Sequence, residues 1–190
     1  FKPVAGVELG LTDPVSGLNM GETAEVLAHD FAITRAQQDE FALASHHKAA
    51  AAQEKCFLSG EIVEVPLDRG KPMDKDNCIR PGQTLEQLAK LKPIFKRDGS
   101  VTAGNSCPLT DGAAAVVLSA TNNLDRFSRP PLGYITAAAI AGCDPKRMGL
   151  GPVYATAKLL DETGMSLSDF ELIEINEAFA AQVIGCDRAM

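Results

Sequence analysis

The chain has 190 residues, of which 45% are hydrophobic and 23% are charged, so it can bury a core as one medium domain or two small ones. Its net charge of −7 argues against nucleic acid as a general partner. No apolar run approaches the about 20 residues that a membrane-spanning helix needs. The sequence therefore predicts a soluble globular protein that is not transmembrane.

The N-terminal part of the chain begins with an aperiodic stretch, residues 1–18, which reads as a connector. Three capping boxes then predict helices. In a capping box, the residue before the helix and the third helical residue each accept the other's backbone N–H with a side-chain oxygen. The three boxes pair Asn19 with Glu22 for a helix over 19–31, Thr34 with Gln37 for an Ala-rich helix to about Lys55, and Thr84 with Gln87 for a short helix. Between the last two, residues 61–67 alternate as an edge strand would.

The central stretch, VTAGNSCPLTDGAAAVVLS at 101–119, combines a short apolar strand signal, a polar loop of small residues and a second apolar run. The run at 113–118 shows no polar alternation, which is typical of a strand covered on both faces. A strand, a small-residue loop and a second buried strand would form the floor of a ligand pocket.

The C-terminal part follows consecutive prolines at 130–131, which hold the chain extended and mark a domain boundary at 128–131. We expect a strand over 132–140, a glycine loop at 148–152, and a helix with Pro152 in its first turn that ends at Gly164. A second short strand at 172–175 then passes directly into a helix that Asn176 begins.

The cysteines number five, an odd count without C-x-x-C spacing, which argues against a disulfide framework and a zinc site. Reduced thiols are typical of a bacterial cytoplasm or an organellar matrix, so we expect one of these compartments and not secretion. The three histidines, His29, His46 and His47, fall in one helical region. We expect none of them to be catalytic, because histidine is often half-buried for structural reasons.

Positive charge is concentrated between residues 69 and 97, a segment that contains eight basic and three acidic residues. A solvated surface is one explanation for such a segment. A site for a phosphorylated ligand on an otherwise acidic protein is the other.

Two residues stand out as candidates for chemistry. Asn176 follows a strand and opens a helix, the place where ligands collect in open α/β sheets, and its amide could orient a water or a carbonyl. The alternative is a simple helix cap. Cys107, in a Gly/Ser-rich loop, could be a nucleophile, but no histidine lies near it in sequence, so a packed thiol is the competing interpretation.

Six motifs then occur in an order that resembles the thiolase family. They are MGETAE at 20–25, IR at 79–80, KLKPIF at 90–95, TAGNS at 102–106 with DGAAA at 111–115, MGLGP at 148–152, and NEAFAAQ at 176–182. One motif alone would be moderate evidence, whereas six collinear motifs across nearly the whole chain are specific. The form NSCPLTD at 105–111 is closer to the fatty-acid-oxidation branch than to the short-chain biosynthetic branch.

The resemblance implies an α/β fold, specifically a thiolase-like αβαβα layered fold that is present in part. Residues 1–97 resemble the loop domain that covers coenzyme A. Residues 98–127 resemble the last strands of the N-terminal half, and residues 132–190 resemble the start of the C-terminal half.

Thiolases are acyltransferases that cleave 3-ketoacyl-CoA with coenzyme A, in fatty acid β-oxidation for the branch favoured here. By similarity, Asn176 would hold a water that stabilises the thioester oxygen as enolate charge develops. Arg80 would meet the nucleotide end of coenzyme A. The pantetheine and thioester pocket would be lined by Met20, Ala103, Cys107, Met148, Ala178 and Phe179.

The resemblance also implies coenzyme A as substrate without a tightly bound cofactor or metal. A homo-oligomer and a hydratase or dehydrogenase partner are expected for the full-length enzyme. The family's nucleophilic cysteine would precede Phe1, and its catalytic histidine and second cysteine would follow Met190. We therefore expect this chain alone to be inactive.

Two alternatives to a thiolase remain open at this point. The first is a non-catalytic thiolase-like protein that binds coenzyme A or a lipid, or a truncated product without function. The second is a stand-alone cysteine hydrolase that uses Cys107.

Overall fold

The computed structural model describes residue 6 and residues 10–190, so the first part of the connector predicted at 1–18 lies outside the described residues. Five α-helices and three 3₁₀ helices are formed after residue 19. The α-helices are α1 (Met20–Asp30), α2 (Arg35–Glu54), α3 (Leu85–Ala89), α4 (Gly151–Thr163) and α5 (Ala180–Ala189). The 3₁₀ helices are Thr121–Arg126, Pro145–Leu150 and Leu167–Asp169.

All three predicted capping boxes are confirmed. In α1, Asn19 Oδ1 accepts the Glu22 N–H at 2.9 Å and Glu22 Oε2 accepts the Asn19 N–H at 2.8 Å. The same reciprocal pair starts α2 and α3. Pro152 lies in the first turn of α4, and Gly164 ends that helix in the left-handed region at φ +70°, where glycine is favoured.

The apolar core is small and lies where α1, α5 and the 3₁₀ helix Pro145–Leu150 meet. One cluster joins Leu27, Leu150 and Cys186, and a second joins Ala28, Ile33 and Ala181. Each is a contact between segments more than 100 residues apart. The N- and C-terminal parts of the chain are thus packed together through one set of helices.

The predicted strands do not form a sheet among residues 10–190. Pairing there is limited to three isolated antiparallel bridges, Thr12 with Asn19, Val65 with Met73, and Ser106 with Phe179. The apolar runs at 113–118 and 132–140 are exposed: Val116 retains 83% of its accessible surface and Ile140 retains 88%. The burial on both faces expected for 113–118 was therefore wrong for this chain, and 132–140 does not form the expected strand, because no neighbouring strand among the described residues donates to or accepts from these runs.

A buried polar network holds the loop at 100–106. Glu25 on α1 accepts the Ser100 and Val101 N–H groups at 2.8 and 2.7 Å. Asp39 on α2 accepts from Asn105 Nδ2 at 3.0 Å, and Asn105 Oδ1 accepts the Thr102 N–H at 2.8 Å. Buried polar groups are unfavourable unless they are paired. These hydrogen bonds therefore stabilise a single conformation of the loop.

Arg35 neutralises the buried carboxylate of that network and extends it to α3. Its Nε lies 2.8 and 3.0 Å from the two Asp39 oxygens, and its Nη2 donates to the carbonyls of Leu88 and Leu91 at 2.7 and 3.0 Å. The Asp39 side chain keeps only 6% of its exposure. The guanidinium therefore compensates a buried charge, and it satisfies one carbonyl in the last turn of α3 and one just beyond that helix.

Asn105→Ala is expected to lower the free energy of unfolding by about 2–3 kcal/mol, because a buried Thr102 N–H and a buried Asp39 oxygen would each lose a partner. Urea unfolding followed by circular dichroism measures this change. Asn122→Ala, at an exposed position, is the matched control. A loss for Asn105→Ala no larger than that of the control would contradict the role assigned to the network.

Candidate functional site

The loop after the polar network is bonded directly to the start of α5. The Cys107 N–H donates to the Ala178 carbonyl, and the Ala180 N–H donates to the Asn105 carbonyl, both at 2.9 Å. Ser106 and Phe179 form an antiparallel bridge between them. Two sequence motifs 70 residues apart therefore share one rigid piece of backbone.

The start of α5 corrects the prediction made for Asn176. The helix begins at Ala180 with Phe179 as its N-cap at φ −145° and ψ 138°, four residues after Asn176. The bridge to Ser106 holds Phe179 extended, so the helix cannot begin earlier. Asn176 is exposed and does not cap the helix, which removes the structural alternative proposed for it.

One cavity, of about 320 Å³ and hereafter the larger cavity, lies between α2 and the loop at 104–108. Its wall on the α2 side includes Phe41, Ser45 and His46, and its opposite wall includes Cys107, Asn176 and Glu177. Ile79 and Cys78, next to the predicted Arg80, also line it. This cavity is the more polar of the two.

The smaller cavity, about 190 Å³, lies between α1 and the glycine loop. Four of the predicted binding residues line it, namely Met20, Met148, Ala178 and Phe179. Gly149 allows the loop to approach closely, since a Cβ there would lie 2.7 Å from Leu27 Cδ1 and 2.8 Å from Gln182 Cγ. Thioether and aromatic walls of this kind suit an apolar group of a ligand.

Among the described residues, Asn176 alone lines both cavities. Cys107 lies in the larger cavity and the two methionines lie in the smaller one. Ala103 is exposed and lines neither, and Arg80 is exposed beside the larger cavity. The structure thus brings most of the predicted residues around Asn176 without placing all of them in one pocket.

Phe179 is held by an aromatic contact as well as by backbone bonds. Its ring lies edge-on to Phe95, with centroids 6.1 Å apart and planes at 83°, a favourable arrangement for aromatic pairs. Gly21 leaves the space for Phe95, because a Cβ at position 21 would overlap that ring. Residues from three distant motifs therefore pack together, and Phe179 presents this contact to the smaller cavity.

Three functional candidates were missed by the sequence analysis. His46 lines the cavity that contains Cys107 and Asn176, and Ser45 donates a short hydrogen bond to Glu177. The sequence held one clue in its helical spacing, which places Asp39, Ala42 and His46 on one face of α2. The Arg35–Asp39 pair at positions i and i+4 could also have indicated that Asp39 is buried. Without the fold, nothing indicated that this face meets residues 176–177.

The electrostatics around His46 favour a neutral ring. Burial, the positive charge of Arg80 and the neighbouring His47 lower the pKa of His46, while Glu177 opposes the shift. His46 Nδ1 accepts the Arg80 N–H at 3.4 Å, which requires that nitrogen to be unprotonated. The neutral ring therefore ties the basic segment to α2.

No hydrogen bond within the described residues activates the Cys107 thiol as a nucleophile, although His46 lines the same cavity. The Cys107 side chain is exposed, and no hydrogen bond joins its sulfur to a histidine within the described part of the chain. A thiolate needs a nearby cation, base or helix N-terminus. The hydrolase alternative requires a base bonded to this thiol, and the described part of the chain shows none.

No described helix is both long and apolar enough to cross a membrane. In the described ranges, no group of three or more His, Cys, Asp or Glu side chains is arranged to hold a metal ion. The five cysteines are all free thiols.

Comparison with known protein families matches nearly the entire chain. Residues 5–122 match the family described as Thiolase, N-terminal domain, and residues 129–190 match Thiolase, C-terminal domain. An acetyl-CoA acetyltransferase of Pseudomonas aeruginosa is 48% identical over 188 residues, which is 97% of this chain and 48% of that protein. A human peroxisomal 3-ketoacyl-CoA thiolase is 46% identical, over 88% of this chain and 41% of its own length.

A solved structure of similar architecture is human mitochondrial 3-ketoacyl-CoA thiolase in complex with CoA. It superposes with a TM-score of 0.90 at 40% identity, over 95% of this chain and 45% of the human chain. The predicted layered α/β fold, present in part, is thereby confirmed. This chain spans about half the length of the curated relatives that it matches.

We expect the pKa of His46 in the folded protein to lie below its ordinary value of 6.5. Because the folded-state pKa is lowered, the unfolded chain takes up the proton first as pH falls. The stability linked to neutral His46 is complete above pH 6.5 and is lost as pH falls through the folded-state pKa. NMR titration of the imidazole, assigned by its loss in His46→Gln, measures the midpoint.

His29→Gln, on the exposed side of α1, is the control and should leave the His46 titration in place. A His46 midpoint at or above 6.5 would contradict the arrangement of charges described here.

Proposed function

This chain belongs to the thiolase family, and from that membership we propose that the protein carrying it cleaves 3-ketoacyl-CoA with coenzyme A to give acetyl-CoA and a shortened acyl-CoA. The observation that carries the proposal is the position of Asn176 at the junction of the two cavities. A donor at such a junction can contact the reacting thioester while the two ends of the substrate occupy separate spaces.

In the proposed reaction a cysteine thiolate attacks the 3-keto carbon, and the bond between the α and β carbons breaks. Acetyl-CoA leaves as an enolate, a second thiol protonates it, and another coenzyme A takes the acyl group from the enzyme. The resemblance assigns both thiols to positions that none of the five cysteines of this chain occupies. We propose that this chain contributes substrate positioning and charge stabilisation.

Asn176 is proposed to stabilise the enolate. Its side-chain amide would hold a water whose proton points at the thioester oxygen, so that developing negative charge meets a fixed donor. Its exposure to both cavities supports this role, and the rigid backbone that follows it limits its movement.

Coenzyme A is proposed to lie with its thioester end in the smaller cavity. The lining of Met20, Met148, Ala178 and Phe179 supports that placement, and Cys107 would form a wall of the adjoining pantetheine channel. Arg80 and the surrounding basic segment would meet the phosphates of the nucleotide, since an exposed guanidinium binds phosphate in bidentate geometry. Ala103 lies at the edge of this arrangement.

We propose the domain assignment already expected from the motifs: 1–97 as the loop domain, 98–127 as the end of the first half and 132–190 as the start of the second. The exposed apolar runs at 113–118 and 132–140 would then pair with strands elsewhere in the full protein. A homo-oligomer, a hydratase or dehydrogenase partner, and a location in a bacterial cytoplasm or organellar matrix complete the proposal. Five free thiols support a reducing compartment.

Asn176→Ala in the protein that carries this chain is expected to lower kcat for thiolysis of acetoacetyl-CoA about 100- to 1,000-fold, because one preorganised donor to the developing oxyanion is lost. Since the side chain is exposed, the melting temperature should not change. Asn122→Ala is the matched control. A kcat within twofold of wild type would refute the role of Asn176, and absence of turnover by the wild type would refute the proposed function.

Arg80→Ala is expected to raise the Kd for coenzyme A about tenfold or more, because a charge-assisted contact to phosphate is lost. Isothermal titration measures this change, and added salt should weaken binding to the wild type more than to the variant. Arg126→Ala, exposed and outside the basic segment, should bind as the wild type does. Equal affinity of Arg80→Ala and wild type would count against the nucleotide site.

Coenzyme A titration also separates the alternative function. Micromolar binding without turnover by the full protein would favour a non-catalytic thiolase-like carrier.

A further inference from the structure

We propose that Ser45 is a positioning residue for Asn176, acting through Glu177; the proposal rests on the function proposed above. The Ser45 hydroxyl on α2 donates a short hydrogen bond to Glu177 Oε2, across 132 positions of sequence. Both residues line the larger cavity together with Asn176. The bond thus joins α2 to the residue that directly follows Asn176.

The need for such a contact follows from how the chain is held on either side of Asn176. On the C-terminal side, Ala178 and Ala180 are fixed by backbone bonds to Cys107 and Asn105. On the N-terminal side, residues 171–175 make no backbone hydrogen bond among the described residues, and Leu172 keeps 76% of its exposure. Backbone hydrogen bonds therefore hold the chain on the C-terminal side of Asn176 and not on its N-terminal side.

Two contacts compensate for the missing anchor. Ile175 packs against the cluster of Leu27, Leu150 and Cys186, which restrains its position but not the rotation of the next peptide. Glu177 is tied by Ser45, and no other hydrogen bond to its carboxylate occurs within the described residues. The Ser45 bond therefore fixes the orientation of the 176–177 peptide about the chain axis, and with it the direction of the Asn176 side chain.

The placement of Ser45 is itself well determined. It lies one turn beyond Ala42 on α2, and Asp39 and Ala42 are 4% and 9% exposed. Asp39 is held by both Arg35 and Asn105, so α2 is fixed against the same loop that clamps Ala178 and Ala180. One helix thus sets both ends of the 176–180 segment.

A free Glu177 would harm the site in two ways. The Asn176 amide would lose its fixed direction, and an error of about 1 Å in a positioned group can cost on the order of 100-fold in rate. In addition, the carboxylate would be free to turn toward His46, whose pKa its negative charge already raises. Negative charge would then enter the cavity in which Asn176 is proposed to stabilise an anion.

The test compares Ser45→Ala, Ser45→Thr and wild type in the protein that carries this chain. Ser45→Ala should lower kcat for acetoacetyl-CoA thiolysis tenfold or more while KM stays within twofold, because positioning for the transition state is lost and substrate binding is retained. Ser45→Thr keeps the hydroxyl and should recover at least half of the wild-type kcat. Ser168→Ala, an exposed serine on a 3₁₀ helix, is the matched control.

Crystal structures of the same variants decide the proposal independently of activity. In Ser45→Ala the Asn176 amide should be displaced by about 1 Å or more, and in Ser45→Thr it should return to the wild-type position. An unmoved Asn176 in Ser45→Ala overturns the proposal, as does a change in KM alone or a threonine variant that folds but behaves like alanine. A wild type without turnover would refute the proposed function, while the displacement of Asn176 would still decide the role of Ser45.

Discussion

Two buried carboxylates organise the N-terminal part of the site. Glu25 and Asp39 project from different helices into the loop at 100–106 and accept its N–H donors. Burying charge is unfavourable unless each oxygen is compensated, so the loop can adopt few alternatives to the observed geometry. Because the same loop then bonds Ala178 and Ala180, the position of α5 follows from where these carboxylates lie.

The helices were predictable because their signals are local. Each capping box needs only two side chains three residues apart, and α4 is bounded by Pro152 and Gly164. The strands could not be judged in this way: an apolar run such as 113–118 indicates a buried strand, but burial depends on neighbours that local sequence does not specify. The family motifs identified the fold, which composition and periodicity alone could not do.

The resemblance singled out four residues that line the smaller cavity, and their role as a binding site stays a prediction: Met20, Met148, Ala178 and Phe179. The start of the last helix was predicted wrongly, because Asn176 was expected to begin the helix that begins at Ala180. A bridge between Ser106 and Phe179 delays that helix, and no pattern within residues 170–182 reveals a partner 73 positions upstream. The contribution of α2 to the larger cavity was hidden for the same reason.

The contacts of Phe95 with Gly21 and with Phe179 restrict how the sequence can change at these three positions. Because Gly21 has no side chain, the ring of Phe95 can pack against it. Phe95 in turn contacts the ring of Phe179. A larger residue at position 21 is tolerated only if position 95 becomes smaller, which would leave Phe179 unsupported. We therefore expect substitutions at positions 21, 95 and 179 to be correlated. A homologue that differs at one of them should carry compensating changes at the others.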